Sequence, residues 1–249
     1  TSLTVSLPIS WAKKFDLQNG DEVTIEEKEK DLVITTDKSF HLSKKEVDIS
    51  DLDDQSIVWI LTSLHKSGYD EIKLYFKEHS QMAVIQKQVT LLLGYSIMEQ
   101  RENYCIVRSI SQAVEEEFEP ALRRTFLVTI SMAESAYDAF KAKNKDAFQS
   151  IMMMEETNNT LVSFCHRLLN KHGYHNFAKT TYVYTLIWLL ENLADYYRDI
   201  LKSFVEKNLE MNYKDDILGY LNEANQHLRN FYELFYKMSY DKLQGMSAR

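Results

Sequence analysis

Apolar positions along this chain alternate with polar ones near its start and recur every third or fourth residue through its second half. LTVSL at 3–7 alternates and is rich in β-formers, which predicts a strand ending at Pro8. SWAKKFDL then predicts a short helical turn with Ser10 as its N-cap. After the turn residues Asn19-Gly20-Asp21, Val23 and Ile25 alternate on one arm and Leu32 and Ile34 on the other, around a charged tip, the pattern of a hairpin. Strand, short helix and hairpin bury too little apolar surface to stand alone, so this head is expected to need a second chain.

Residues 37–54 are polar and acidic and read as a linker. From Ser56 helical spacing begins, with Ile57, Ile60, Leu61 and Leu64 on one face and Gly68 as the stop. EIKLYF predicts a strand, 80–92 a helix, and 94–110 a hairpin, together a small α/β unit over 52–110. After Ser111 the spacing is helical throughout. Phe118, Leu122, Phe126, Ile130, Ala133, Tyr137 and Phe140 define a first helix, and KAKNKD breaks it. A second is expected over 147–171, closed by His172-Gly173. A third follows over 178–207, with Leu186, Leu190, Leu193, Tyr197, Leu201 and Phe204 inward, and a fourth over 213–238. Long helices joined by short loops pack as an antiparallel up-and-down bundle. The expected fold class is α+β: a head over 1–45, the α/β unit over 52–110 and a helical bundle over 111–249.

Composition sharpens this picture. Only 6 glycines and 2 prolines occur in 249 residues, which suits long helices. Hydrophobic residues make up 45% and charged residues 27%, the balance of a globular chain. No apolar run approaches the length of a membrane span. The opening TSLTVSLP lacks the charged and apolar regions of a secretory leader, so no signal peptide is expected there. Cys105 and Cys165 have no ligand-like spacing and are expected to be buried apolar residues. The pattern contains no GxGxxG, GxxxxGK[ST] or GxSxG and no nucleophile with a recognisable base, so no enzymatic activity is expected. His172 and His175 sit in a helix-ending loop, and His166 beside Cys165 reads as packing or surface.

The net charge of −8 argues against nonspecific nucleic-acid binding by the chain as a whole. Within the head, Lys13-Lys14 is the candidate phosphate contact, although seven lysines face eight acids over 1–45. A module that only dimerises is the competing reading. In the third bundle helix Glu191, Asp195 and Asp199 recur at intervals of four, roughly opposite its apolar stripe. Such like-charge pairs cost a few tenths of a kcal/mol each, and only Arg198 and Lys202 are near. Glu155 and Asn159 flank the apolar face of the second helix. The stripe is either a solvated face or, with Glu155 and Asn159, an oxygen-rich site for a divalent or trivalent cation such as Fe, Mn, Zn or Mg.

LTVSLPISWAKKFDLQNGDEVTIEEKEKDLVITT resembles the AbrB/SpoVT swapped-hairpin DNA-binding domain, through the strand ending in Leu7-Pro8, the short helix, and Leu17-x-x-Gly20-Asp21-x-Val23 before the hairpin. The helical half resembles the PhoU domain: Glu191-Asn192-Leu193-Ala194-Asp195, followed by Asp199, looks like that family's E-R-[IA]-[GA]-D signature, and Glu155 and Asn159 fall where the preceding helix carries its acidic pair. The combination resembles archaeal AbrB–PhoU regulators of phosphate uptake. It implies a homodimeric, cytoplasmic transcription regulator that binds DNA at promoters of phosphate genes and senses phosphate status through a metal or a partner. The alternative it implies is an interaction module docking a phosphate ABC-transporter or signalling component. Asn192 stands for the usual Arg, Asn159 for the usual Asp, and Thr4 where a basic DNA contact is common.

Overall fold

The computed structural model describes residues 3–28, 31–36, 43–110, 115–211, 215–240 and 243–244. The chain divides into two compact units, 1–43 and 44–249.

In the first unit, α1 (Ile9–Lys14) is followed by the antiparallel pair β1 (Thr24–Lys28) and β2 (Asp31–Thr35), in register with Ile25 opposite Ile34 and Glu27 opposite Leu32. The expected hairpin is present. Helix α1 begins one residue before the expected cap Ser10: Pro8 takes that place, and no side chain caps the helix. The turn that launches β1 uses Gly20 at φ +97, with Asp21 N–H donating to the Gln18 carbonyl at 3.2 Å. Leu3–Leu7, expected as a strand, is not one here, because a strand exists only where a ladder partner pairs its backbone, and none of the described residues does so. No described residue of 3–36 is buried. Leu3, Val5, Ile9, Ile25 and Leu32 are exposed.

The second unit starts with a strand where a linker was expected. β3 (Lys44–Asp48) runs parallel to β4 (Glu71–Tyr75), pairing Val47 with Leu74, and is joined to it through α2 (Asp54–Lys66). A single apolar residue, Val47, among charges concealed it; the long-range ladder makes the strand. After α3 (His79–Val89), β5 (Tyr95–Gln100) and β6 (Tyr104–Ser109) complete a four-stranded sheet of order β3-β4-β6-β5. Asp53 caps α2 by accepting from Ser56 N–H at 2.7 Å. Ile57, Leu61, Ile72, Leu74, Ile85 and Val107 fill the core of this layer.

Four long helices follow: α4 (Phe118–Lys141), α5 (Phe148–His172), α6 (Thr180–Glu206) and α7 (Asp215–Tyr236). Pro120 lies in the first turn of α4, where its missing N–H costs no helical bond. Gly173 ends α5 at φ +74, and a Cβ there would also meet the Phe177 ring at 3.3 Å. Helix α4 packs on α5, α6 and α7, and α5 packs on α6 and on α2, so α5 is shared between bundle and α/β layer. Of the positions expected inward on α6, Leu190, Tyr197 and Leu201 are buried, while Leu186, Leu193 and Phe204 are half-buried. Helix α7 is held chiefly by aromatic contact: the Phe126 ring of α4 has Phe231, Tyr232, Phe235 and Tyr236 at centroid distances of 5.4 to 6.1 Å. Asn225 of α7 adds a clamp, accepting from the Tyr197 hydroxyl of α6 and donating to the Ala133 carbonyl of α4 at 2.8 Å. Among the described residues no helix is long and apolar enough to cross a membrane.

Candidate functional sites

The head presents its lysines openly. Lys13 and Lys14 close the last turn of α1, where cations oppose the helix dipole, and both are exposed. Lys14 lies 5.5 Å from the Phe15 ring centroid, and Trp11 packs on that ring at 5.3 Å. The aromatic pair fixes the turn and leaves the ammonium groups to solvent.

The carboxylates of α6 do not act as one stripe. Glu191 turns to the α/β layer, where Lys66 of α2 reaches it at 3.5 Å with both side chains half-buried. Asp195 and Asp199 share the guanidinium of Arg198: Nη1 donates to Asp195 Oδ1 at 2.6 Å, and Nε and Nη2 donate to Asp199 Oδ1 at 3.0 and 2.9 Å. The same Nη1 crosses the helix seam to Glu155 Oε1 of α5 at 2.6 Å. Asn159 also donates to Glu155 Oε1 at 2.6 Å. The expectation that the acids lie opposite the apolar stripe is corrected here: Glu191 and Asp195 are half-buried along the seams with α2 and α5, since they sit one helical step from the buried Leu190 and Ala194. Burial pushes the Glu155 carboxyl up from its usual range, and the Arg198 charge opposes that shift. The positive group among these acids is thus Arg198. Among the described residues no group of three or more His, Cys, Asp or Glu is arranged to hold a metal ion.

A third polar cluster escaped sequence reasoning. Arg167 of α5 is only 1% exposed and reaches into the α/β layer. Its Nη1 donates to the Tyr69 carbonyl at 2.6 Å and the Tyr95 hydroxyl at 3.0 Å, and its Nη2 to Asp70 Oδ1 at 2.9 Å. The guanidinium also lies 4.9 Å from the Tyr95 ring centroid. One turn earlier, Ser163 Oγ meets His65 Nδ1 at 2.8 Å, while His65 Nε2 is 3.0 Å from the Leu93 carbonyl. A carbonyl only accepts, so Nε2 carries the proton and Nδ1 accepts from Ser163. Burial lowers His65 to about 4, keeping the imidazole neutral at physiological pH. The available signal was an arginine followed by Leu168-Leu169 and preceded by Phe164-Cys165-His166, at a position that the helical period assigns to the interior.

The remaining cysteines and histidines divide between buried and exposed positions. Cys105 and Cys165 are free and buried as expected, and burial pushes both thiols up to about 12. His166 is buried and stacked on Tyr184 at 4.0 Å, and burial lowers it to about 4. His172 and His175 are exposed.

Residues 1–40 match a family model described as antidote-toxin recognition MazE, bacterial antitoxin. The head is accordingly AbrB/MazE-like, and the match ends before the second unit begins. No curated protein and no solved structure matches the chain.

Proposed function

We propose that this chain is a homodimeric DNA-binding transcription regulator, in which the head grips promoter DNA and a PhoU-like bundle reads phosphate status. The AbrB/MazE-like match over a head with no buried residue among those described carries this reading. A second copy would cover Leu3, Val5, Ile9, Ile25 and Leu32 and give Leu3–Leu7 a ladder partner, stabilising the pair by about 25 cal/mol per Å² of apolar surface removed from water. Dimerisation also joins two Lys13-Lys14 pairs into one basic surface on an otherwise acidic protein.

The phosphate link rests on the PhoU-like run Glu191–Asp195 with Asp199, Glu155 and Asn159. A cation there (Fe, Mn, Zn or Mg) would hold phosphate through an open coordination position, and would first have to displace Arg198 from Glu155 and Asp195. The protein acts in the cytoplasm, without catalysis of its own, and passes its signal through DNA or a phosphate ABC-transporter or signalling component.

Gel-shift titration of the full chain on its own promoter and on promoters of phosphate genes tests this, alongside light scattering. Saturable binding at the mass of a dimer is the expected result; a monomer without DNA affinity overturns it. The family description favours a second reading, in which the head recognises a toxin protein. Copurification of the full chain with the product of a neighbouring gene, and loss of that product's toxicity, would select this reading.

A further inference from the structure

Between the start of α6 and the end of α7 the bundle opens into a cavity of about 630 Å³, a size typical of small-ligand pockets. Tyr182, Phe231, Phe235 and Tyr236 supply ring walls, and Glu119 and Lys179 are its charged groups. Lys179 is exposed at the rim, where solvent screens it, whereas Glu119 is partly buried. The Glu119 Oε1 accepts from the Tyr174 hydroxyl, another wall residue, at 3.0 Å. Burial first and that carboxylate second push the Tyr174 hydroxyl up to about 12, so it stays a neutral donor. The Tyr236 hydroxyl is buried and has no hydrogen-bond partner among the described residues.

Aromatic faces carry negative quadrupole potential, and a carboxylate adds a full charge. The Tyr236 ring already attracts a cation of the protein itself: the Arg123 guanidinium lies 5.0 Å from its centroid. An anion entering between these rings would lose its hydration and face Glu119, whereas an apolar cation would exchange water for ring faces and a counter-charge. We propose that this cavity binds a lipophilic organic cation, a quaternary ammonium or phosphonium with aromatic or alkyl substituents. This site is independent of whether the head binds DNA.

Titration calorimetry of the full chain with tetraphenylphosphonium and with tetraphenylborate, ions of the same shape and opposite charge, tests the assignment. The cation is expected to bind saturably at one site per chain, with the borate weaker by about tenfold or more. Glu119→Gln keeps an acceptor for Tyr174 and should weaken the cation about tenfold without weakening the borate. Glu156→Gln, which removes the same charge from an exposed site on α5, should change neither. Tyr182→Ala, at an exposed wall residue, should weaken the cation and leave the melting temperature intact. Equal binding of the two ions, an unchanged cation affinity in Glu119→Gln, equal losses in the Glu119 and Glu156 variants, or no saturable binding overturns the proposal.

Discussion

Arg167 of α5 donates to Asp70 at 2.9 Å, and through this pair the bundle holds the segment joining α2 to β4. Lys171, one turn later on α5, donates to the same carboxylate oxygen at 2.5 Å, so Asp70 anchors two cations of one helix. Removing the buried guanidinium leaves the Tyr69 carbonyl and the Tyr95 hydroxyl without their charged partner. Arg167→Ala is therefore expected to cost about 3 kcal/mol, the lower end for breaking a buried ion pair because Lys171 remains. Urea unfolding with a global fit measures this, and a loss below about 1 kcal/mol would mean that the joint is held by apolar packing instead.

Stability should fall on acidification through a window set by buried imidazoles. His65 and His166 are held at about 4 in the folded chain, against an ordinary value of 6.5. Between those values the unfolded state binds more protons, so the stabilisation is complete above 6.5 and is lost as pH falls towards 4. At 1.36 kcal/mol per unit, each histidine contributes roughly 3 kcal/mol over that window. Glu155, shifted up by burial, works in the opposite sense, as its folded form holds a proton more readily. Urea midpoints from pH 7.5 down to 4.5 should decline in the wild type and decline less in His65→Gln; parallel curves would remove His65 from the effect.

Arg198 decides whether the carboxylates of α5 and α6 can accept a metal. In the wild type its guanidinium already neutralises Glu155 and Asp195, so added Mn or Zn should raise the melting temperature little. Arg198→Ala leaves the acids facing one another, lowers stability by about 1–3 kcal/mol, and should regain part of it when metal is added. Differential scanning fluorimetry after chelation, with Arg198→Ala/Asp195→Asn as control, reads the difference. Equal responses in the single and double variants would leave the cluster without metal affinity.

On the DNA reading, Lys13 and Lys14 are exposed in the last turn of α1 and should each neutralise a phosphate. Changing both to Ala is expected to weaken DNA binding uniformly across sequences and reduce the slope of log K against log salt by roughly one to two per chain. Fluorescence anisotropy at several salt concentrations measures that slope, and an unchanged slope places the DNA elsewhere.

What could be read from the residues was whatever depends on local period. The four long helices and the hairpin of Ile25 and Ile34 follow from spacings that the neighbouring chain cannot alter. β3 could not be seen, because KKEVD offers one apolar residue and owes its strand to a partner 27 positions later, Glu71–Tyr75. Leu3–Leu7 failed for the converse reason: its alternation is that of a strand, yet no ladder among the described residues completes it. Glu191, Asp195 and Asp199 were correctly placed at intervals along a helix, but a helical wheel carries no information about what the next helix offers. Lys66 and Glu155 come from other elements and divide the three acids between two seams. Arg167 escapes period arguments because they treat charge as surface, and here hydrogen bonds to Tyr69, Asp70 and Tyr95 make the interior tolerable.

The attachment of α7 to Phe126 has a kinetic consequence. Among its described residues only Asn225 and Leu234 are buried, whereas α6 buries six residues and α4 twelve. Leu218, Leu221 and Leu228 and the Arg229–Glu134 pair add to its hold, but with so few buried residues this helix is expected to open first, as its own cooperative unit. Because α7 is also a wall of the aromatic cavity, its local opening would widen that cavity without unfolding the rest of the bundle.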